Sequence, residues 1–283
     1  MAKVTPSPSL QSALVTLLAD DDPAVSEPIR RRLLEGREST MAWLHCHRLH
    51  ADPAARRRVH EVLESLGRTS AEAAWGAFLS GHGEGLDLED GAWLFVRTRY
   101  PHAPVEAYRA QLDEWAARLR DPMASAANGE RMLVHINGLL FGELGFRGNE
   151  ERYYDPANSY LNLVMDRRTG IPITLGIVYL LLARRLRLPV AGIGMPGHFL
   201  CRYQTPREEF YIDAFHGGRL LARAECVRRL KQFAIEQDDA ALQPLSPRRI
   251  LHRMVSNLHL LHKDRRDRPE TERLERYLGL LGR

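Results

Sequence analysis

The sequence is poor in cysteine and begins without an apolar leader. Its 283 residues include three cysteines, Cys46, Cys201 and Cys226, so a single disulfide would leave one thiol over. This count disfavours a disulfide framework and fits a reducing compartment. Residues 1–6 lack the apolar segment of a secretory signal. We therefore expect a cytoplasmic protein.

Long hydrophobic runs and a strong excess of one charge are also absent. The most apolar stretch follows Pro172 and is too short to span a bilayer, because three arginines between residues 184 and 187 end it. The formal net charge is +4, and the arginines alternate with Asp and Glu, which is typical of solvated helix faces. Glycine-rich phosphate loops and paired catalytic carboxylates are missing too. We expect neither a membrane nor a nucleic acid as partner, and no cofactor.

The most informative part of the chain runs from residue 170 to residue 213. Pro172 suits the first turn of a helix, and the residues after it are apolar on every face, which predicts a buried helix. Pro189 disfavours helical geometry at the residue before it and ends this helix. Beyond it we expect a strand led by His198 and a second strand that ends at Asp213. This order is the layout of papain-like and transglutaminase-like sites.

Four short motifs make the resemblance more specific. They are FRGN at 146–149, YYDPANSYLN at 153–162, GIPITL at 170–175 and PGHFL at 196–200. Together they resemble the SirB1 family over roughly residues 86–230. The resemblance implies an α+β fold: a transglutaminase-like (papain-like) core with a small antiparallel sheet, usually followed by tetratricopeptide-type helices. A related domain occurs in an F-box protein.

The resemblance and the helix signals predict three regions. Residues 1–80 are expected to be helical, with Asp-Pro starts at 22–23 and 52–53 and glycine ends at Gly36 and Gly67. These two segments are either a short HEAT-like pair or a plain helical subdomain. Residues 81–235 form the predicted core. Residues 236–283 form a C-terminal helical hairpin, a truncated tetratricopeptide-like unit, because apolar residues recur at helical spacing.

The resemblance also implies candidate catalytic residues. In active transglutaminase-like enzymes a Cys at the start of the buried helix attacks a carbonyl, a His deprotonates it and an Asp orients the His. His198 and Asp213 match the second and third positions. No Cys occurs at residues 171–175, and the resemblance assigns Thr174 to the nucleophile position or next to it.

The other candidates for the nucleophile are weak. Cys201 lies three residues after His198 on the same predicted strand, so alternation directs the two side chains to opposite faces. Thr174 could act as a nucleophile, but a threonine in a first helical turn more often hydrogen-bonds a backbone group. We favour the capping role for Thr174.

Five further residues belong to the family signature. Asn158 and Asn162 would lie one turn apart if they share a helix, and could then face one spot. They either bind a ligand or fix the loop before the buried helix, and the structural role is favoured. The remaining signature residues are Tyr160, Pro172 and Gly197.

A histidine-rich segment at residues 45–50 raises the possibility of a metal site. His47 and His50 would share a helix face, but a second pair of ligands at a recognisable spacing is missing. A solvated histidine-rich face is the better interpretation. We predict no metal site.

These observations support three hypotheses on function. In the first, the protein is a non-catalytic descendant of a transglutaminase-like fold that acts in protein–protein interaction or regulation, with a protein or peptide partner held in its cleft. In the second, it is an amide hydrolase or acyl transferase that uses His198 and Asp213 with Thr174 or an activated water. In the third, it is a structural module of a larger assembly, with apolar patches on its terminal helices.

Overall fold

The computed structural model describes residues 6–232 and 241–282, which adopt a mostly helical α+β fold. The contacts group the chain into two units. One comprises Met1–Trp75 with Arg97–Ala103, and the other Gly76–Val96 with Pro104–Arg283. The C-terminal helices are thus grouped with the core. The predicted boundary at 235/236 lies outside the described residues, and the three-part division stays a prediction.

The first four helices of the chain are α1 (Pro8–Leu18), α2 (Pro23–Glu35), α3 (Glu38–Leu44) and α4 (Pro53–Gly81). Two of them, α2 and α4, begin at the predicted Asp-Pro pairs. Asp22 accepts a hydrogen bond from the N–H of Ala24 at 2.8 Å, and Asp52 accepts one from that of Ala54 at 3.1 Å. Each aspartate therefore satisfies a donor that the first helical turn leaves open.

The predicted helix end at Gly67 is wrong. Helix α4 continues through this residue to Gly81, whereas α2 does end before Gly36. A Cβ atom at position 67 would lie 2.8 Å from Cβ of Pro101, so the glycine permits a close approach instead of ending the helix. The unequal lengths of α2 and α4 favour a helical subdomain over equal HEAT-like repeats. Its core is built from apolar residues of all four helices, including Val15, Leu33, Trp43, Val59 and Leu63.

The second unit surrounds a small sheet with helices. Its helices are α5 (Leu88–Arg97), α6 (Val105–Ala124), α7 (Gly129–Asn137), α8 (Leu161–Arg167), α9 (Pro172–Arg185), α10 (Arg223–Lys231), α11 (Pro247–Asp264) and α12 (Arg268–Leu281). Two short strands, β1 (Arg147–Gly148) and β2 (Thr169–Gly170), pair in parallel. Four more form an antiparallel sheet in sequential order: β3 (Val190–Met195), β4 (His198–Gln204), β5 (Glu209–Asp213) and β6 (Arg219–Leu221).

Helix α9 is the buried helix that the apolar sequence predicts. Residues 172–183 are all buried, and Pro172 occupies the first turn. The helix packs on β4, where a Cβ atom at Gly176 would come within 2.5 Å of the Phe199 ring. Each fully buried Leu, Ile or Val side chain contributes about 1.5–3 kcal/mol, so this contact fixes β4, and with it His198, against the start of α9.

The C-terminal helices α11 and α12 pack against each other through apolar residues that recur at helical spacing. Ile250, Met254 and Leu258 are buried on α11, and Leu274 and Tyr277 on α12. Within the described parts of the chain, none of the helices combines the length and the apolar character needed to cross a bilayer.

Candidate functional site

His198 and Asp213 meet at the ends of neighbouring strands. His198 is the first residue of β4 and Asp213 the last of β5, and these strands pair antiparallel. The Nε2 atom of His198 lies 2.8 Å from Oδ1 of Asp213. The carboxylate is fully buried, whereas the imidazole side chain is 19% exposed. The predicted pair thus forms, with Nδ1 of His198 left for other partners.

Two further side chains hold the Asp213 carboxylate. Nδ1 of His216 lies 2.9 Å from Oδ2, and Nη1 of Arg229 donates to the same oxygen at 3.2 Å. Burial alone would raise the pKa of Asp213, but the hydrogen bonds and charges of His198 and His216 outweigh it and hold this pKa well below its usual value. The carboxylate therefore stays ionised and fixes the ring of His198.

Three of these residues could also hold a metal ion. The ligand atoms of His198, Asp213 and His216 all lie within 4.8 Å of one another, and divalent transition metals accept this donor set. However, a histidine ring already occupies each carboxylate oxygen, and the Arg229 guanidinium opposes a second cation. The arrangement is that of a hydrogen-bonded network. The absence of a resident metal stays a prediction.

The histidines at positions 45–50 do not form a comparable group. Among residues 6–232 and 241–282, the only set of three or more potential ligands that comes together is the one around Asp213. His45, Cys46 and His47 form a short 3₁₀ turn, with the rings of His47 and His50 6.4 Å apart between centroids. The segment thus presents histidine rings without a shared ligand site.

The imidazole of His198 lines an open cleft of about 440 Å³. Gly197, with φ of +64°, forms the turn before it. On another wall lies the start of α9, with the apolar residues Ile171, Pro172 and Ile173. The remaining lining residues come from the loop before α8 and from α11, and include Tyr153, Tyr154, Asp155, Ser159, Arg253, Asn257, Leu260, Leu261 and Asp264.

Thr174 is fully buried and does not line this cleft. Its hydroxyl donates to the backbone carbonyl of Asn158 at 2.8 Å and accepts from the N–H of Ile171 at 3.2 Å. Both bonds are to backbone groups, so the side chain joins the start of α9 to the preceding loop. The described geometry brings Thr174 to Asn158 and not to His198.

None of the three cysteines lines this cleft. Cys201 is buried and its thiol donates to the carbonyl of Gly176 at 3.5 Å, while burial raises its pKa far above the usual value. Burial likewise raises the pKa of Cys226 to about 11. Cys46 is exposed in the N-terminal helical segment. A buried thiol with a raised pKa is a poor nucleophile.

Asn158 fixes the loop that forms one wall of the cleft. Its side-chain amide donates to the carbonyls of Arg152 and Tyr153 at 2.7 and 3.1 Å, and its Oδ1 accepts from Nδ2 of Asn149 at 2.9 Å. Every polar atom of this buried side chain is therefore bonded within the protein. Asn158, Asn149 and Thr174 are called the Asn158 cluster below.

The other signature residues serve different parts of the fold. Asn158 and Asn162 do not share a helix, because Tyr160 between them is extended, with φ of −105° and ψ of 119°. Tyr160 stacks on Phe95 and accepts a hydrogen bond from Arg273 of α12 at 3.2 Å. Asn162 is buried in α8, with no hydrogen-bond partner at Oδ1. Neither lines the cleft.

Two residues of the site carry no signal in the sequence motifs. His216 follows Asp213 by three residues, and the turn between them brings its ring to the carboxylate. Arg253 reaches the cleft from α11, where Nη2 donates to the backbone carbonyls of Met195 and His198. Arg253 thereby fixes the turn that leads into His198. The spacing of three residues could have indicated His216, but no local pattern could have indicated Arg253.

Comparisons with known proteins agree with the fold. Residues 106–256 match the family model described as the Transglutaminase-like superfamily. A UPF0162 protein from Xylella fastidiosa (strain 9a5c) is 34% identical over 194 residues, which are 66% of this chain and 69% of that protein. UPF0162 protein PA3419 from Pseudomonas aeruginosa is 32% identical over 179 residues, 62% of this chain and 64% of its own length.

A partial match extends to a eukaryotic protein. F-box only protein 21 from Mus musculus is 36% identical over 141 residues, which cover 47% of this chain but 22% of that protein. No solved structure matches. The resemblance to the SirB1 family is confirmed by these matches. Since the family model covers more than half of the sequence, the chain belongs to the transglutaminase-like superfamily.

Proposed function

We propose that the protein binds a peptide segment of a partner protein in the cleft beside His198, without covalent catalysis. One observation carries this proposal. The imidazole, held by a buried Asp213, lines an open cleft in which the start of α9 presents Ile171, Pro172 and Ile173 instead of a cysteine. The chain thus keeps the polar half of a transglutaminase-like site and has an apolar wall at the nucleophile position.

The chemistry of acyl transfer supports the non-catalytic reading. A covalent mechanism needs a nucleophile within hydrogen-bond reach of the base. The hydroxyl of Thr174 is already bonded to two backbone groups, and the thiol of Cys201 is buried against Gly176. In this geometry neither Thr174 nor Cys201 is available to His198 as a nucleophile.

The composition of the cleft suits a peptide. Its volume falls in the usual range for ligand sites, roughly 300–1,000 Å³, and it combines apolar walls with a few polar groups. At its rim Tyr154 is 73% exposed and Leu260 56% exposed. Large exposed apolar side chains of this kind are typical anchors for a partner. Nδ1 of His198 would then hydrogen-bond the backbone or a polar side chain of the peptide.

A second candidate is hydrolysis of an amide or ester by a water that His198 activates. The buried, ionised Asp213 favours it, because this carboxylate holds Nε2 and leaves Nδ1 directed elsewhere, as a general base requires. This candidate needs no protein nucleophile. It predicts turnover that His198→Ala abolishes in a folded protein.

Peptide display and a turnover assay together test the proposal. A library of random peptides is selected against the wild-type protein, and enriched peptides are measured by fluorescence anisotropy. We expect binding to weaken at least about tenfold in His198→Ala, the loss of roughly one buried hydrogen bond to a polar group. His60→Ala, an exposed histidine of α4, is the matched control and should bind as the wild type does.

The same preparations are then incubated with fluorogenic amide and ester substrates. Hydrolysis that depends on His198 would overturn the non-catalytic proposal in favour of the second candidate. If no peptide is enriched above the level obtained in the same selection against an unrelated protein, the peptide-binding proposal is overturned.

A further inference from the structure

Arg253 has donors that the protein does not use. Both N–H groups of Nη2 are directed to backbone carbonyls, those of Met195 and His198. A guanidinium has five N–H donors, so the Nε–H and the two on Nη1 remain. Within the described residues, these three groups donate no hydrogen bond. Arg253 lines the cleft, which gives an incoming ligand access to them.

The positive charge of Arg253 also lacks a carboxylate partner among residues 6–232 and 241–282. Two acidic residues share the cleft, but neither neutralises it. Asp155 accepts from the N–H of Ala157 and pairs with Arg167. Asp264 lies eleven residues further along α11, roughly 16 Å at the helical rise of 1.5 Å per residue. A partly buried charge without a counter-charge is costly, and an anionic ligand would relieve that cost.

Ser159 adds a second unused donor on the same cleft. The residue is 3% exposed, and its hydroxyl has no hydrogen-bond partner in the described chain. Because Ser159 lines the cleft, this hydroxyl can donate to a ligand bound there. The N-terminal end of α9 lies on the next wall at Ile171 to Ile173, where the helix dipole favours negative charge.

We propose that Arg253 and Ser159, at the N-terminal end of α9, form a subsite for a carboxylate group of the bound peptide. This inference rests on the proposed peptide-binding function and specifies its ligand. The Nε–H or an Nη1 N–H of the guanidinium can donate a charge-assisted hydrogen bond to one carboxylate oxygen. The carboxylate is either the C-terminus of the peptide or the side chain of an Asp or Glu. His198 would bind a neighbouring polar group of the same peptide.

The subsite can be tested with acetate alone, independently of any peptide. The protein is labelled with ¹⁵N-arginine, and the side-chain Nε–H resonance of Arg253 is followed as sodium acetate replaces sodium chloride at constant ionic strength. We expect a saturable shift in the millimolar range. Arg253→Gln, which lacks this resonance, assigns it, and the acetate affinity should weaken at least about tenfold in Ser159→Ala, the effect of one hydrogen bond to a charged group.

Arg249→Gln is the matched control, since Arg249 lies one turn earlier on α11 and does not line the cleft. It should leave the acetate response unchanged. Arg253→Gln removes the hydrogen bonds that fix the turn before His198, whereas Ser159→Ala leaves them in place. The test therefore does not depend on Arg253→Gln alone. A linear response without saturation, or an equal response to inorganic phosphate, would overturn the carboxylate subsite.

Modified peptides distinguish a C-terminal carboxylate from an Asp or Glu side chain. They also test the carboxylate subsite separately from the peptide-binding function. Each enriched peptide is compared with its C-terminal amide and with versions in which Glu and Asp become Gln and Asn. We expect one of these changes to weaken binding about 10- to 100-fold, and Arg253→Gln to remove that difference. Peptides that bind equally well without any carboxylate would overturn the subsite and leave the peptide-binding function intact. A saturable acetate response with no peptide bound would overturn the function and leave the subsite.

Discussion

The polar side chains on the two sides of the start of α9 differ in whether their hydrogen bonds are made within the protein. Behind it, in the Asn158 cluster, both the hydroxyl of Thr174 and the amide of Asn158 are bonded to backbone groups. In front of it, the hydroxyl of Ser159 and three N–H groups of Arg253 have no acceptor in the described chain. The polar residues around the start of α9 thus fall into two groups: those that build the cleft and those available to a ligand.

The largest expected effect breaks the Asn158 cluster. Asn158→Asp keeps the size of the side chain but replaces two N–H donors with an oxygen that faces the carbonyls of Arg152 and Tyr153. We expect a loss of about 3–4 kcal/mol in the free energy of unfolding, measured by urea denaturation at pH 7. Asn257→Asp, at an exposed position of α11, should change it by less than about 0.5 kcal/mol. A loss below about 1 kcal/mol in Asn158→Asp would contradict this structural role.

A smaller effect is expected at Thr174. Thr174→Val keeps the shape but leaves the N–H of Ile171 and the carbonyl of Asn158 without their partner. We expect the free energy of unfolding to fall by about 2–3 kcal/mol. Thr169→Val, whose hydroxyl donates to one carbonyl near the surface, is the control and should lose less than about 1 kcal/mol. Equal losses in the two variants would show that the buried hydroxyl is not the cause.

The pH dependence of stability tests whether the Asp213 carboxylate is held by hydrogen bonds within the protein. The folded-state pKa of Asp213 lies below the unfolded value of about 3.9, so its ionised form stabilises the fold above that pH. This stabilisation is lost as the pH falls below about 4 towards the folded-state pKa. We expect Asp213→Asn to flatten the acid side of the stability curve by about 1 kcal/mol between pH 7 and pH 3, because the unfolded-state carboxyl titrates in this range and the folded-state carboxyl at lower pH.

Urea midpoints of the wild type and Asp213→Asn from pH 7 to pH 3 measure this difference. Asp264→Asn, at an exposed residue of the same cleft, should keep the wild-type slope. Parallel curves for Asp213→Asn and the wild type would mean that the carboxylate is not held as described.

The smallest expected effect is at Ser159. Its hydroxyl has no partner to lose, so Ser159→Ala should change the free energy of unfolding by no more than about 0.5 kcal/mol in either direction. Comparing this value with the loss in Thr174→Val directly tests whether the two hydroxyls have different roles, one for a ligand and one for the fold. A loss above about 1.5 kcal/mol in Ser159→Ala would assign Ser159 to the structural side, and the carboxylate subsite would lose one of its donors.

The elements around α9 could be predicted from sequence because their signals are local. The apolar residues after Pro172 predict a buried helix whichever way the rest of the chain packs, and the strands that carry His198 and Asp213 follow from the same segment. The same reasoning fails at Gly67. Glycine ends many helices, but here it is required by the proximity of Pro101, which no local pattern reveals.

The use of each polar side chain could be predicted only in part. A capping role for Thr174 follows from its place in a first turn, whereas the extended Tyr160 between Asn158 and Asn162 breaks the helical spacing assumed for them. His216 depends on the conformation of one turn. Arg253 comes from a helix whose first residue is more than thirty positions beyond Asp213, so only tertiary packing brings it beside His198.

The two-residue pairing of β1 with β2 has a consequence for how the cleft opens. The N–H of Arg147 donates to the carbonyl of Arg168, and that of Asn149 to Gly170, each at 2.9 Å. These bonds close residues 147–170 into a loop that contains Ser159, Asn149 and Asn158. Segments tied in this way open as one cooperative unit. A partner in the cleft should therefore slow amide hydrogen exchange at Arg147 and Asn149, although neither residue lines the cleft.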